Sequence, residues 1–499
     1  MLLGSPTDAE VVSDAAEVQA AGPAALPPVE GRVLLLGFGC IGSALLPLLI
    51  GRFGVPADRI AILTACERGA AQAEQAGVAR EILPITPQNA AAVLGPRLRP
   101  GDVLLNLAVE VSSAAVAELC LSRGAHYLDT APEPWRGGYS DPRLPYLQRS
   151  NFGLRQAHRD VALRHGPGAP SGMIGSGANP GLVSLFLKRA LLNLAAAQGV
   201  DPGCEPGAAA ETQPDWADLT RRLGVKAVHI TETDTQHRAS PQRGGEASNT
   251  WSIASLVGEA YLPSELGFGT HEASLPPDGT FHDPSDRGSI YLARPGAANL
   301  IRSWIPGTGQ YGGCIISHPE PLSIADFLTA RDEAGRVLHR PTVLFAYRPC
   351  DEARLLVQDA LGSDFRMHVQ EQAPMVEEIT GGADTLGVLL MGQPGRAYWY
   401  GSQLDAVEAQ RLVPHNNATT LQVCAGVMAG LAWILENPRR GLCEAEAMDV
   451  HRGLAVARPY LGRVFGSWTR WHPAIRRYLA LPSAVDRSDP WQFAGFRIT

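Results

Sequence analysis

The apolar positions from residue 33 to residue 50 change period halfway. Val33–Leu36 is an unbroken apolar run, the pattern of a strand buried on both faces. After Gly37-Phe38-Gly39-Cys40-Ile41-Gly42 the apolar residues resume at helical spacing. A glycine turn between strand and helix is the context that the G-x-G-x-x-G dinucleotide fingerprint requires. Gly37 permits the tight turn, Gly39 lets the backbone approach a pyrophosphate at the helix N-terminus, and Gly42 lets helix and strand pack closely. Pro47 removes one helix hydrogen bond and is expected to bend that helix.

The same pattern continues downstream. Residues 59–65 (RIAILTA) predict a second strand, 102–108 (DVLLNLA) a third, 112–124 an amphipathic helix and 126–130 a short strand. Alternating strands and helices indicate a doubly wound parallel sheet, whose ligands bind beyond the carboxyl ends of the strands. Asn106, Glu110, Asp129 and Glu133 fall at such ends, and Glu67 falls where an acid holds the adenosine ribose. A carboxylate there repels a 2′-phosphate and favours NAD over NADP.

The pattern then changes. Gly177-Ala178-Asn179-Pro180-Gly181 opens a helix near Leu182, and residues 195–218, rich in Ala, Gly and Pro, read as an exposed loop. Residues 225–234 read as a strand ending in Glu232 and Asp234, 336–347, 385–391 and 396–401 as further strands of more antiparallel character, and 419–436 as a long apolar helix. The expected fold is α/β: a Rossmann-like doubly wound parallel sheet plus a second α+β domain whose mixed sheet carries the substrate site and the dimer contact. The expected boundaries are a disordered extension over 1–28, the NAD-binding domain over 29–175 with 410–445 returning to it, the substrate domain over 176–409 and a C-terminal segment over 446–499.

Composition narrows the function. The chain has 499 residues, 45% of them hydrophobic, and a net charge of -8, which leaves no basic footprint for nucleic acid. Its eight cysteines are scattered without a C-x-x-C pair, as in a reduced compartment. The first residues carry Asp8, Glu10 and Asp14 where a signal peptide needs a basic start. A soluble cytoplasmic protein without a membrane span is expected.

HExxH and Gly-x-Ser-x-Gly are both absent, so neither a metal site nor a serine hydrolase is expected. Carboxylates remain, with one aromatic. Glu232, Glu259 and Glu272 lie around Asn249-Thr250-Trp251. Trp251 reads either as a core residue or as a face for a cation, a contact of about 0.5–2 kcal/mol. Acids and a tryptophan beside a nicotinamide describe a pocket for an amine.

A set of collinear blocks carries a resemblance. They are GFGCIG, NLAVE with YLDTAPEPW (within 106–135), GANPG (177–181), HITETDTQ (229–236), NTWSIASLVGEAYLPSELGFGTHE (249–272), ISHPEPLSIAD (316–326), GGADTLGVLL (381–390) and HNNATTLQV (415–423). With these the chain resembles the bacterial homospermidine synthases, relatives of the saccharopine dehydrogenase-type enzymes, from about residue 32 to 466. The resemblance implies a redox-neutral transferase, a homodimer with tightly bound NAD, that joins two putrescine molecules and releases ammonia. It implies a polyamine site of Glu110, Glu133, Asn179, Glu232, Trp251, Glu259, His318 and Asp384. Of these, Glu232, Glu259, Trp251, His318 and Asn179 are the expected catalytic group. Gly37, Phe38, Gly39, Cys40, Ile41, Gly42, Glu67, Asn106, Asp129 and Thr130 are expected to bind the cofactor. Glu110 departs from an expected Asp, and Cys66-Glu67 from an expected pair of acids. Two other readings stand beside this one: a net dehydrogenase of the saccharopine or carboxyspermidine type, and a non-catalytic NAD- or polyamine-binding protein.

Overall fold

Short runs of branched apolar residues, each followed by a helix, force strands to lie parallel, because a helical crossover returns the chain to the same end of the sheet. The computed structural model describes residues 10–12, 24–203, 213–240, 246–366, 371–376, 378–393, 395–474 and 489–498. Its first sheet has seven parallel strands in the spatial order Leu442–Glu444, Gly172–Ile174, His126–Asp129, Val103–Asn106, Val33–Leu36, Ile60–Thr64, Ala79–Ile82. The chain leaves Val33–Leu36 in one direction and returns on its other side at Val103–Asn106. This reversal opens a crevice at the strand ends. Register puts Leu36 opposite Asn106, and Asn106 opposite Asp129.

The second sheet is mixed. Ala227–Asp234 and Thr342–Arg348 run parallel at its centre, with Glu232 opposite Tyr347, so the stretch over 336–347, expected as one strand of antiparallel character, is instead a short strand Val337–His339 and a central strand that pairs parallel. The other strands add antiparallel: Ala383–Met391, Ala397–Asp405 and Arg463–Thr469 on one side, Pro263–Gly267, Ser289–Pro295 and Gly279–Phe281 on the other. Strand Gly309–Cys314 joins Thr342–Arg348 through a hairpin with Leu300–Ile305.

Helix Ala418–Glu436 ties the two sheets together. A capping box of Asn417 and Thr420 starts it, and Asn417 Nδ2 donates to the Thr250 and Met375 carbonyls at 2.7 and 2.8 Å. Glycines let its middle lie against the first sheet: a Cβ at Gly426 would sit 1.9 Å from the Gly177 carbonyl oxygen. In return, the Ser176 hydroxyl donates to the Gly426 carbonyl at 3.0 Å. The helix is long and apolar enough to cross a membrane, but 89% of its apolar window is buried inside the protein.

Several boundaries differ from those expected. Glu10–Val12, within the extension expected to be disordered, forms an antiparallel edge strand on Arg463–Thr469. The described part of the expected loop over 195–218 is helical at both ends: Leu182–Gln198 runs into it and Gln213–Arg222 follows, while 204–212 lies outside the described residues. Alanine, a good helix former, carries the first of these on. Pro47 lies within the uninterrupted helix Cys40–Gly51.

A methyl group at Gly426 has nowhere to go except into the Gly177 backbone. Gly426→Ala is therefore expected to lower unfolding free energy by about 1–3 kcal/mol or more, read as a lower midpoint in urea with unchanged slope.

Candidate active site

The crevice between the sheets is a cavity of about 220 Å³ with two chemically different halves. Gly39, Cys40, Ile41, Arg68, Asn106 and Thr130 line the first half. Gly39 is the N-cap of helix Cys40–Gly51; no side chain caps that helix and no acid sits in its first turn. Its free N–H groups face an approach that is open, since a Cβ at Gly39 would meet nothing within 4 Å. Gly37 makes the turn at φ +90°, where a side chain would strike the Ala108 nitrogen at 2.7 Å. Uncapped amides, an open glycine and a neighbouring guanidinium fit the pyrophosphate of a dinucleotide.

The second half is acidic and aromatic, lined by Glu133, Asn179, Glu232, Trp251, Glu259, His318, Phe345 and Tyr347. Trp251 immediately precedes Ser252, the N-cap of helix Ile253–Tyr261, whose hydroxyl accepts from the Ser255 amide at 3.2 Å. The Trp251 indole N–H donates to the Tyr347 hydroxyl at 3.0 Å, which fixes its ring at the cavity wall. Glu259 lies near the other end of the same helix. Its backbone carbonyl accepts from Ser317 N at 3.0 Å, and this delivers the next residue, His318, to its side chain. His318 Nε2 lies 2.9 Å from Glu259 Oε2, and Nδ1 lies 3.1 Å from Glu320 Oε2.

These groups perturb one another. Burial pushes the Glu232 carboxyl up to about 8, with Asp234 adding to the effect and His318 and Asn179 opposing it. Burial likewise pushes Glu133 up to about 8, with Glu259 and Glu110 contributing. Glu259 is raised by burial against the pull of His318. For His318, burial acts downward, but the Glu320 and Glu259 carboxylates outweigh it and hold the imidazole well above its usual range. At neutral pH Glu133 and Glu232 are therefore held largely as neutral acids beside the His318 imidazolium, and the two are poised to ionise when a cation enters.

The structure brings together Gly39, Cys40, Ile41, Asn106, Thr130, Glu133, Asn179, Glu232, Trp251, Glu259 and His318 around this one cavity. Seven other expected site residues do not line it. Phe38 is buried as a wedge that a Cβ at Gly69 would hit at 2.5 Å, and Gly37 and Gly42 shape the turn from beneath. Asp129 is fully buried: its carboxylate accepts from Gly175 N at 2.6 Å and from the Tyr127 hydroxyl at 2.8 Å, so it braces the loop that carries Asn179. Glu67 turns to solvent and pairs with Arg80, which competes with a ribose for the carboxylate. Glu110 sits at φ +61° and turns outward to Arg136 at 3.0 Å. Asp384 lies behind Thr419, whose hydroxyl donates to it at 2.7 Å, and burial pushes its carboxyl well above the usual range. Glu272, read as a neighbour of Trp251, instead accepts from the Thr342 hydroxyl at 2.5 Å and the Phe493 amide at 3.0 Å.

Sequence reasoning missed Arg68, Tyr347, Thr419 and Glu320. Arg68 adjoins Glu67 and carried a signal that went unread. Tyr347 and Thr419 reach the cavity only through sheet register and helix docking. Among the described residues no group of three or more His, Cys, Asp or Glu side chains is arranged to hold a metal ion.

Comparison with known proteins gives a consistent pattern. The family model for the saccharopine dehydrogenase NADP binding domain matches residues 33–164, and that for the saccharopine dehydrogenase C-terminal domain matches residues 177–466. The homospermidine synthase of Blastochloris viridis is 42% identical over 93% of this chain and 97% of its own length. That of Mesorhizobium japonicum is 40% identical over 93% of this chain and 96% of its own. A crystal structure of the homospermidine synthase of Legionella pneumophila in complex with NAD superposes with a TM-score of 0.86 at 38% identity, covering 94% of this chain and 98% of that one.

The raised acids make a stability prediction. Glu133 and Glu232 bind protons more tightly folded (about 8) than at their ordinary value of 4.5. Their contribution is full below about 4.5 and is lost as pH rises through about 8. Calorimetry of the protein free of polyamine is expected to show a melting temperature that falls between about pH 4.5 and 8 and levels off above, and the double substitution Glu133→Gln, Glu232→Gln is expected to flatten that fall.

Proposed function

The chain belongs to the homospermidine synthase family of saccharopine dehydrogenase-type proteins, and from that membership we propose that it joins two putrescine molecules into sym-homospermidine with release of ammonia. The observation that carries this reading is the charge of the substrate half-site. Among the cavity-lining residues, Glu133, Glu232 and Glu259 face the space beside a tryptophan ring, and Arg68, in the cofactor half, is the one Arg or Lys. A diamine, doubly charged at neutral pH because alkylamines ionise near 10.4, suits such walls. A dehydrogenase acting on amino-acid carboxylates would require a cation in that half, which disfavours the rival oxidoreductase.

NAD, bound at the glycine turn, supplies the chemistry of taking a hydride from the donor carbon and returning it later in the same cycle. The chain's own residues do the rest. Glu232 and Glu133 ionise as the diamine enters and hold its ammonium groups. Trp251 offers its ring face to a cation. Glu259, which keeps 21% of its side-chain exposure, presents a carboxylate to the reacting amine and shares a proton with His318. We infer a cytoplasmic location, with which the free, scattered cysteines among the described residues accord, and a homodimer, as the family resemblance implies.

The direct test is incubation with putrescine and NAD: homospermidine and ammonia are expected without stoichiometric NADH, whereas NADH matching the substrate consumed would identify a dehydrogenase.

Glu259→Gln removes the charge that pairs with an ammonium and with His318. Stranding a buried partner costs about 3–5 kcal/mol, so kcat/KM for putrescine is expected to fall by about 100-fold or more. Trp251→Phe is expected to keep partial activity and Trp251→Ala less, with NAD binding intact in both, as read by fluorescence titration. The unaltered rate in Trp251→Ala would make this ring a packing residue only.

The KM for putrescine is expected to fall as pH rises from 7 to about 8.5, because the two raised carboxyls ionise while the diamine keeps its charges. A flat KM over that range would remove Glu133 and Glu232 from the binding site.

A further inference from the structure

His318 is the one histidine in the cavity wall, and a carboxylate meets each of its ring nitrogens. The two carboxylates are not equivalent. Glu259 lines the cavity and keeps partial exposure, so a substrate can touch it. Glu320 is 1% exposed and does not line that cavity. It opens helix Glu320–Phe327, where an acid in the first turn is ordinary. Its other oxygen, Oε1, is buried with no hydrogen-bond partner among the described residues. Glu320 instead lines a second, smaller cavity of about 30 Å³, into which Ser323, Glu446, Arg155 and His158 also bring polar side chains. That volume accommodates a single water, with enough polar neighbours to hold it. Beyond it the Ser323 hydroxyl donates to Glu446 Oε1 at 2.9 Å, and Arg155 pairs with Glu444 at 2.5 Å.

The reaction sets a requirement that this arrangement meets. The inference rests on the functional reading above. Two diammonium ions carry four positive charges into the cycle, and a triammonium product with an ammonium ion carries four out. No net proton is released. Yet the donor amine must lose a proton before its carbon is oxidised to the imine, and the acceptor amine must lose one before its nitrogen attacks that carbon. One borrowed proton then returns to the departing ammonia and one to the new secondary amine. The site must take up a proton and give it back.

An imidazolium has no lone pair to accept a proton, so His318 alone cannot serve. Glu259, His318 and Glu320 together can. With both carboxylates ionised the trio carries a net charge of -1; with a proton added at Glu259 it is neutral. Neither state places an uncompensated cation beside the substrate ammonium. We propose that Glu320 is a positioning residue of the transfer reaction: a fixed counter-charge, out of substrate reach, that holds His318 by Nδ1 and allows the Glu259–His318 pair to take a proton from a substrate amine and return it. Without Glu320 the same uptake leaves a net positive charge in a buried site. Glu232, on strand Ala227–Asp234, acts electrostatically on both His318 and Glu320, and Glu133 on Glu259, so both enter the pH dependence. Glu446 and Arg155 face Glu320 from the small cavity.

The test uses the NAD-loaded protein, Glu320→Gln and Glu320→Asp. In protein labelled with ¹⁵N at histidine, the His318 resonances are expected to remain those of an imidazolium past pH 8, and in Glu320→Gln to titrate at least one pH unit lower. In the same variant kcat for homospermidine is expected to fall about 10-fold or more, with KM for putrescine changed less than about threefold and the rising limb of the pH–rate profile displaced. Glu320→Asp is expected to recover part of the rate. Unmoved His318 titration and an unmoved pH profile in Glu320→Gln, with any loss of rate matched by loss of folded protein, would overturn the proposal. If the unaltered protein makes no homospermidine from putrescine, the functional reading falls first and the proposal with it.

Discussion

Everything in the substrate half-site depends on how one imidazolium is held between two carboxylates. His318 keeps its charge in a buried position because Glu259 and Glu320 meet its nitrogens at 2.9 and 3.1 Å. In turn it limits how far burial raises Glu259 and Glu232, the acids that face an entering cation. Buried ion pairs are weak devices for stability, since desolvation offsets most of their attraction. Their presence here is better explained by the reaction, which needs groups able to change charge without leaving the protein.

That arrangement exists only because two sheets are locked together. Helix Ala418–Glu436 makes the lock. Its capping asparagine holds the segment before Trp251, its glycines admit the Gly177 backbone, and its Thr419 covers Asp384 at the cavity floor. The loop that carries Asn179 is braced from the other side by Asp129 through the Gly175 amide. Several acids at the strand ends thus have structural duties, and they free their neighbours to face the ligand.

The cofactor half shows a simpler economy of parts. The helix Cys40–Gly51 has neither a capping side chain nor an acid in its first turn. Its orphan amides are left for an anionic ligand, and Arg68 adds a positive charge at the same end of the cavity. Glu67 takes no part in the cavity wall because Arg80 holds it.

Local pattern alone determined a good deal of this protein. The change of period at Gly37 fixed a strand, a turn and a helix, since only glycine tolerates that turn and only an apolar run survives at the centre of a parallel sheet. The spacing of strands and helices determined the first sheet, and the collinear blocks from GFGCIG to HNNATTLQV pointed to the amine pocket. Tertiary structure decided which polar side chains share that pocket. Residues Asp129, Glu110 and Glu67 looked alike as acids past strand ends, yet a hydrogen bond from Tyr127, a left-handed backbone and a competing guanidinium sent each elsewhere. Tyr347 reaches Glu232 through strand register, and Glu320 reaches His318 through a helix start two residues on. Such contacts depend on competition among partners far apart in the chain, and a one-dimensional pattern carries no record of which partner wins.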